Sequence, residues 1–337
     1  MTKSEDYQMN ERSIIFVLIT LGVFALTALA EWILIPILRS HKAGQRILDI
    51  GPRWHKSKEG TPTMGGIGFI LAILLASVGF FIFVGIRGNA SKYIPLALTL
   101  AFAVSNGAIG FVDDYCKLIK KQNEGLTRCQ KLVLQFAIIA AYLCVMGYTG
   151  NLPAEIVIPV INLPIRGIIW YIFAAFLIFG VITGANFTDG IDGLASSVSC
   201  VIGIFFSVLA LVWQDTGLSV VGGALVGATL GFLLYNFHPA RVFMGDTGSL
   251  FIGGLVMGAL FQVNEPILTF LVCAVFILEL LSSMIQMIYS KLTHGKRLFK
   301  MAPIHHHFEK CGWSENTIVL VFSLVQVLFC VLAFILI

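Results

Sequence analysis

Ten apolar runs, most of them near the length an α-helix needs to cross a bilayer, constrain this chain more than any other feature. They fall roughly at 13–38, 64–86, 93–112, 129–148, 168–185, 194–213, 218–236, 249–263, 266–290 and 315–336. About 20 apolar residues span the hydrocarbon core as a helix. Sheets other than closed barrels cannot cross it, because lipid offers no partner for an unpaired N–H or C=O. Composition agrees: of 337 residues 58% are hydrophobic and 12% charged, with mean hydropathy +0.91, too little polar surface for a soluble globule. The eighth run is short, and the ninth is long enough to tilt or break. Glycines at 222, 223, 227 and 231 suit close helix–helix approach. The expected fold is an all-α polytopic membrane protein of about ten transmembrane helices, forming one integral-membrane domain over residues 1–337.

Lys and Arg set the orientation. Loops 39–63, 113–131, 186–193, 237–248 and 291–314 hold 17 of the 22, while the opposite side holds Lys3, Arg12, Arg87, Lys92 and Arg166. The positive-inside rule puts those five loops in the cytoplasm and both termini outside. Connections on the outer side are short apart from 149–167, where imperfect alternation from Glu155 predicts a small extracytoplasmic hairpin. The acidic start (Glu5, Asp6, Glu11) and the length of the first apolar run do not read as a cleaved leader. Seven cysteines, four in apolar runs and three in inner loops, do not read as a disulfide framework. The net charge is a modest +4, and no nucleic-acid partner is expected.

The inner loops carry the chemistry. Residues 183–194 contain Asn186, Asp189 and Asp192 with no Lys or Arg, flanked by Gly190 and Gly193. Acids at a membrane mouth are costly unless a cation or polar ligand meets them. An N-cap accounts for one Asp, not for the pair together with Asn186. Asp113 and Asp114 close the third run, where negative charge opposes the helix dipole. Neighbours on a helix diverge by about 100°, so the two are expected to face different partners. Loop one (His55, Lys56, Lys58, Thr63, Gly65, Gly66) suits an anion, or anionic lipid. Asp246 sits between Gly245 and Thr247-Gly248 at a helix start, as an oxygen ligand for Mg²⁺ or a plain cap. Phe243 precedes it, a core residue or a stacking face. The triplet His305, His306 and His307 cannot all face inward, so phosphate contact or acid–base work by one or two suits it better than a zinc site. Glu279, near the middle of the ninth run, is either functional or a structural acid between helices. Acids, lysines and histidines gathered at one face suit Mg²⁺-assisted transfer of a phosphorylated group to a lipid. A transporter would place its charges near the midplane, often across paired repeats.

These motifs carry a resemblance. Thr61-Pro-Thr-Met-Gly-Gly66, Asp113-Asp114-Tyr115, Asn186-Phe-Thr-Asp-Gly-Ile-Asp-Gly193, Phe243-Met-Gly-Asp-Thr-Gly-Ser249 and Ala302-Pro-Ile-His-His-His-Phe-Glu309 resemble the phospho-N-acetylmuramoyl-pentapeptide transferases (translocase I). The two-acid and Asp-Gly elements are shared with sister transferases that use UDP-N-acetylglucosamine, and the histidine run narrows the match. The resemblance implies that UDP-N-acetylmuramoyl-pentapeptide and undecaprenyl phosphate give lipid I and UMP. It also implies Mg²⁺, a homodimer and a bacterial cytoplasmic membrane with the site on its inner face. Carried onto matching positions, Asp246 would ligate Mg²⁺, Asp113 and Asp114 would be essential acids, and His305 would be catalytic. Lys117, Asn186 and Asp192 would belong to the nucleotide pocket with Phe243 under the uracil. Lys58, Thr63, Asp189, Gln286, His305 and His306 would line the phosphate and sugar side, with His307 also counted as substrate-binding.

Overall fold

The computed structural model describes residues 3–40, 58, 60–120, 125–153, 155–158, 163–263 and 265–337. His55 and Lys56, singled out above, lie outside the described residues. The helices are α1 (Lys3–Ser40), α2 (Gly66–Ile86), α3 (Ile94–Lys120), α4 (Arg128–Tyr148), α5 (Gly167–Thr188), α6 (Leu194–Trp213), α7 (Thr216–Asn236) and α8 (Gly245–Gln262). They continue with α9 (Thr269–Val272), α10 (Ala274–Leu292), α11 (Ile304–Glu309) and α12 (Glu315–Leu336). Among the described residues nine helices are long and apolar enough to cross a membrane. The eighth run, outside those nine, forms α8, 18 residues long and rich in glycine. Every residue from Thr247 to Phe261 is buried there, because α2, α3, α5 and α7 pack around it. A helix touching protein on all sides has no lipid to satisfy.

The outer faces carry the lipid-facing apolar surface, as at Leu18, Leu21, Trp32, Leu75, Phe176 and Leu328. Inside a bilayer such surface gives helices little reason to associate, so close packing has to do it. Gly223, Gly227 and Gly231 present one bare face of α7 to Phe16, Thr20, Phe24 and Thr27 of α1. A side chain at Gly227 would stand 2.4 Å from the Thr20 carbonyl oxygen.

The ninth run does break. Its helix interrupts at Cys273, between α9 and α10. An interruption at membrane depth is tolerated where protein satisfies the freed backbone. Gln326 of α12 does so: its Oε1 accepts from the Val275 N–H at 3.2 Å and its Nε2 donates to the Val272 carbonyl at 2.9 Å. In the 149–167 connection, β1 (Glu155–Ile158) and β2 (Leu163–Arg166) pair antiparallel, Glu155 opposite Arg166. Those two side chains form an ion pair.

Candidate active site

Described residues of the five basic or polar loops meet at one end of the bundle. Loop one and the segment before α8 are stitched together: Phe243 N–H donates to the Pro62 carbonyl at 2.8 Å, and Gly65 N–H returns to the Phe243 carbonyl at 2.9 Å. This lays Thr63 beside Gly245, whose φ of +73° suits a residue without a side chain. A Cβ there would stand 2.6 Å from Asp114 and 2.9 Å from the Thr63 hydroxyl. The turn into α8 thus sets Asp246 against the end of α3.

Three carboxylates meet at that junction. Asp113, Asp114 and Asp246 each offer an oxygen, all within 4.8 Å of one another. Lys117, one turn beyond the acid pair, places its Nζ 2.6 Å from Asp113, 3.6 Å from Asp114 and 3.0 Å from Asp246. Lys131 lies 2.7 Å from the same Asp246 oxygen. The other Asp246 oxygen accepts from Asn186 Nδ2 at 2.8 Å, which also reaches Ser249 Oγ at 2.8 Å. The expected divergence of Asp113 and Asp114 holds only for their second oxygens. Asp113 Oδ1 accepts from the Leu126 N–H at 2.8 Å, whereas Asp114 Oδ2 takes the Thr247 N–H and hydroxyl at 2.9 and 2.8 Å. Their other oxygens share Lys117, because a lysine three and four residues on lies over both.

Asp189 closes α5 next to this group. Burial first, then the charges of Asp246, Asp114 and Asp192, push its carboxyl well above the usual range. A bond from the Gly245 backbone acts the other way.

A second cluster surrounds Asp192. Its Oδ1 lies 2.7 Å from Lys58 Nζ, and its Oδ2 takes His238 Nδ1 at 2.9 Å and the Ala240 N–H at 3.0 Å. Glu315 Oε2 accepts from Lys58 at 2.7 Å and from the Asp192 N–H at 3.0 Å. Asn236 Oδ1 completes the turn by accepting from the Gly193 N–H at 3.1 Å. Phe243, between His238 and Asp246 in sequence, is half-buried.

The histidines take three separate partners. His305 Nδ1 lies 3.0 Å from Glu279 Oε2, His306 Nδ1 lies 2.5 Å from Glu309 Oε2, and His307 Nδ1 accepts from the Lys300 N–H at 3.0 Å. Gln286 Oε1 accepts from the Leu298 and Phe299 N–H groups at 3.1 and 2.9 Å. Gln286 and His307 therefore shape loop five itself and make no described bond to either acid cluster. Lys131, His238, Asn236 and Glu315 were not singled out from sequence. Lys131 and His238 lie in loops that carry several basic or polar residues, so nothing local sets them apart. Glu315, beside the cap residue Ser314, gave no signal beyond an ordinary helix start.

A divalent metal fits the first cluster by its donor set. Three convergent carboxylates are hard oxygen ligands of the kind Mg²⁺ takes, one or two from protein and the rest from phosphate and water. Against two lysines they leave one negative charge uncompensated.

Residues 93–264 match the model of the glycosyl transferase family 4. The chain is 39% identical to a phospho-N-acetylmuramoyl-pentapeptide-transferase of Caldicellulosiruptor bescii, over 92% of this chain and 93% of that one. It is 42% identical to the protein of the same name from Clostridium acetobutylicum, over 92% and 95%. With that of Bacillus thuringiensis it shares 40%, over 94% and 96%.

Proposed function

Since the chain belongs to the phospho-N-acetylmuramoyl-pentapeptide transferase family, we propose that it transfers the phospho-sugar-peptide of UDP-N-acetylmuramoyl-pentapeptide to undecaprenyl phosphate. The products are lipid I and UMP, a step of peptidoglycan synthesis at the bacterial cytoplasmic membrane. The observation that carries the reading is the meeting of Asp113, Asp114 and Asp246 with Lys117 and Lys131 at the end of membrane helices. A site that joins acids and lysines there can receive a soluble diphosphate from the aqueous side and a lipid phosphate from the bilayer. The bias of Lys and Arg toward the inner loops supports a cytoplasmic site.

The lipid phosphate is already a competent nucleophile, so direct attack needs no covalent enzyme intermediate. Its oxygen attacks the β-phosphorus, the bond from that phosphorus to the bridging oxygen breaks, and UMP leaves with the bridging oxygen. Asp113 or Asp114 takes the proton of the acceptor phosphate. Lys117 and Lys131 offset charge on the diphosphate, and Asn186 holds Asp246 in place. Asp246, with Asp113 and Asp114 beside it, would hold Mg²⁺, which supplies charge neutralisation on phosphate oxygens.

The test is UMP release by the purified protein in detergent with undecaprenyl phosphate and Mg²⁺, comparing two UDP-sugars. Release with the muramoyl-pentapeptide donor alone, lost in EDTA, is expected. Release with UDP-N-acetylglucosamine alone would move the chain's substrate to that of the sister transferases. Release with neither from folded protein would overturn the transfer reading.

A further inference from the structure

Glu279 is a buried acid that the chemistry above does not use. Glu279 sits in the second turn of α10, fully buried, with Oε2 3.0 Å from Nδ1 of an equally buried His305. The contact joins a membrane helix to the histidine loop. Both outer ends of the pair, Glu279 Oε1 and His305 Nε2, lack a hydrogen-bond partner. Nε2 is aimed at the turn between Asp189 and Asp192: a Cβ on Gly190 would stand 2.3 Å from it. Glu279 thus faces the ring from α10, the Asp189–Gly190 turn faces it from the end of α5, and His306 lies against it with ring centroids 4.1 Å apart. His306 is itself held by Glu309.

Which imidazole nitrogen bears the proton is set by what the other one faces. A carboxylate that accepts at this contact puts the hydrogen on Nδ1 and turns the Nε2 lone pair toward the Gly190 turn. A buried nitrogen without a partner is costly, and such a group calls for an explanation, a working role among them.

We propose that Glu279 is a positioning residue for the transfer reaction. It holds His305 in the Nδ1–H tautomer so that Nε2 accepts a hydrogen bond from a hydroxyl or amide N–H of the sugar-peptide donor at the Asp189–Gly190 turn. The inference rests on the transfer reading above for the identity of that donor. Gly190 belongs to the same device, since only a residue without a side chain lets the ring lie so close.

Two measurements test it on the full chain in detergent. The first is the ¹⁵N spectrum of histidine-labelled protein, with His305 identified by the signal missing in His305→Asn. The Nδ1–H tautomer is expected, and an Nε2–H tautomer or a doubly protonated ring overturns the proposal. The second is the split between kcat and KM in UMP release. Glu279→Gln keeps an acceptor for Nδ1–H and should stay close to the parent. Glu279→Leu should lower kcat about 10–100-fold, the range for removing a group that orients a working histidine, with KM little changed because the phosphate contacts still bind a donor that is no longer held in line for attack. Undiminished kcat in Glu279→Leu, or equal loss in both variants, overturns it. Should Glu279→Leu not fold, Gly190→Ala decides, because its methyl crowds Nε2 with Glu279 intact; a lowered kcat is expected, and an unchanged one overturns the proposal. Absence of UMP release from the parent with either donor counts against the transfer reading and leaves the tautomer measurement standing.

Discussion

Asp246 uses both oxygens, one for Lys117 and Lys131 and the other for Asn186. Asp246→Asn keeps the shape and removes the charge, so UMP release should fall at least about a hundredfold even at saturating Mg²⁺, comparable to losing one preorganised electrostatic group. Near-normal release would remove Asp246 from the metal site. Asp189 makes a separate prediction through pH. Its raised pKa means that the folded chain keeps a proton the unfolded chain has released, so stability falls as pH climbs from about 3.9 through the folded value. Asp189→Asn cannot ionise, and in EDTA its Tm should exceed the parent's at pH 8, with the gap closing toward pH 4. A gap that does not change with pH would show that the charge of Asp189 is not what costs stability. Lys58→Met would leave Asp192 and Glu315 facing each other without their shared cation. Because Lys58 keeps a little solvent contact, the expected cost is ~2–3 kcal/mol, below the ~3–5 kcal/mol of a fully buried pair, read from unfolding in detergent. At this scale the acids and Lys58 were legible because charge beside apolar runs is conspicuous. Lys131 and Glu315 were not, because their partners lie 115 and 123 or more residues away and no local pattern announces such a meeting.

Among the elements, α7 shows why glycine spacing carries information in a membrane chain. The residues Gly223, Gly227 and Gly231 form one stripe on which α1 rests, in place of the hydrophobic drive that lipid removes. Gly227→Leu should therefore wedge α1 away and cost about 1–3 kcal/mol by overpacking, seen as a lower unfolding temperature in detergent. A variant as stable as the parent would mean that α1 is not held by that stripe. Run length left the ninth run either to tilt or to break, and neither the break between α9 and α10 nor its position at Cys273 follows from length alone. That position depends on Gln326, supplied by α12, to satisfy the freed backbone. The short eighth run becomes the central helix for a similar reason: the glycines that weaken its hydropathy are what let four neighbours close in.

For the whole molecule, the distribution of Lys and Arg yields a topological prediction. Cys129 and Cys311 are exposed, both in inner loops or at their edges. A charged, membrane-impermeant maleimide should label them in inverted vesicles and spare them in right-side-out ones. The reverse result would invert the topology and move the acid clusters to the other side of the membrane.

Periodicity, run length and charge are local or additive properties, so the chain itself determined the helical class, the number of spans within one, the basic side and the acids that gather there. Pairing is neither local nor additive. Only the tertiary structure decided that Lys117 and Lys131 share Asp246, that Lys58 is held between Asp192 and Glu315, that Gln286 serves its own loop and that Glu279 belongs to His305. Apart from that of Gln286, those contacts join segments carried by different helices, whose relative rotation is set by which small residues let them approach, and that rotation has no signature in any single stretch of sequence.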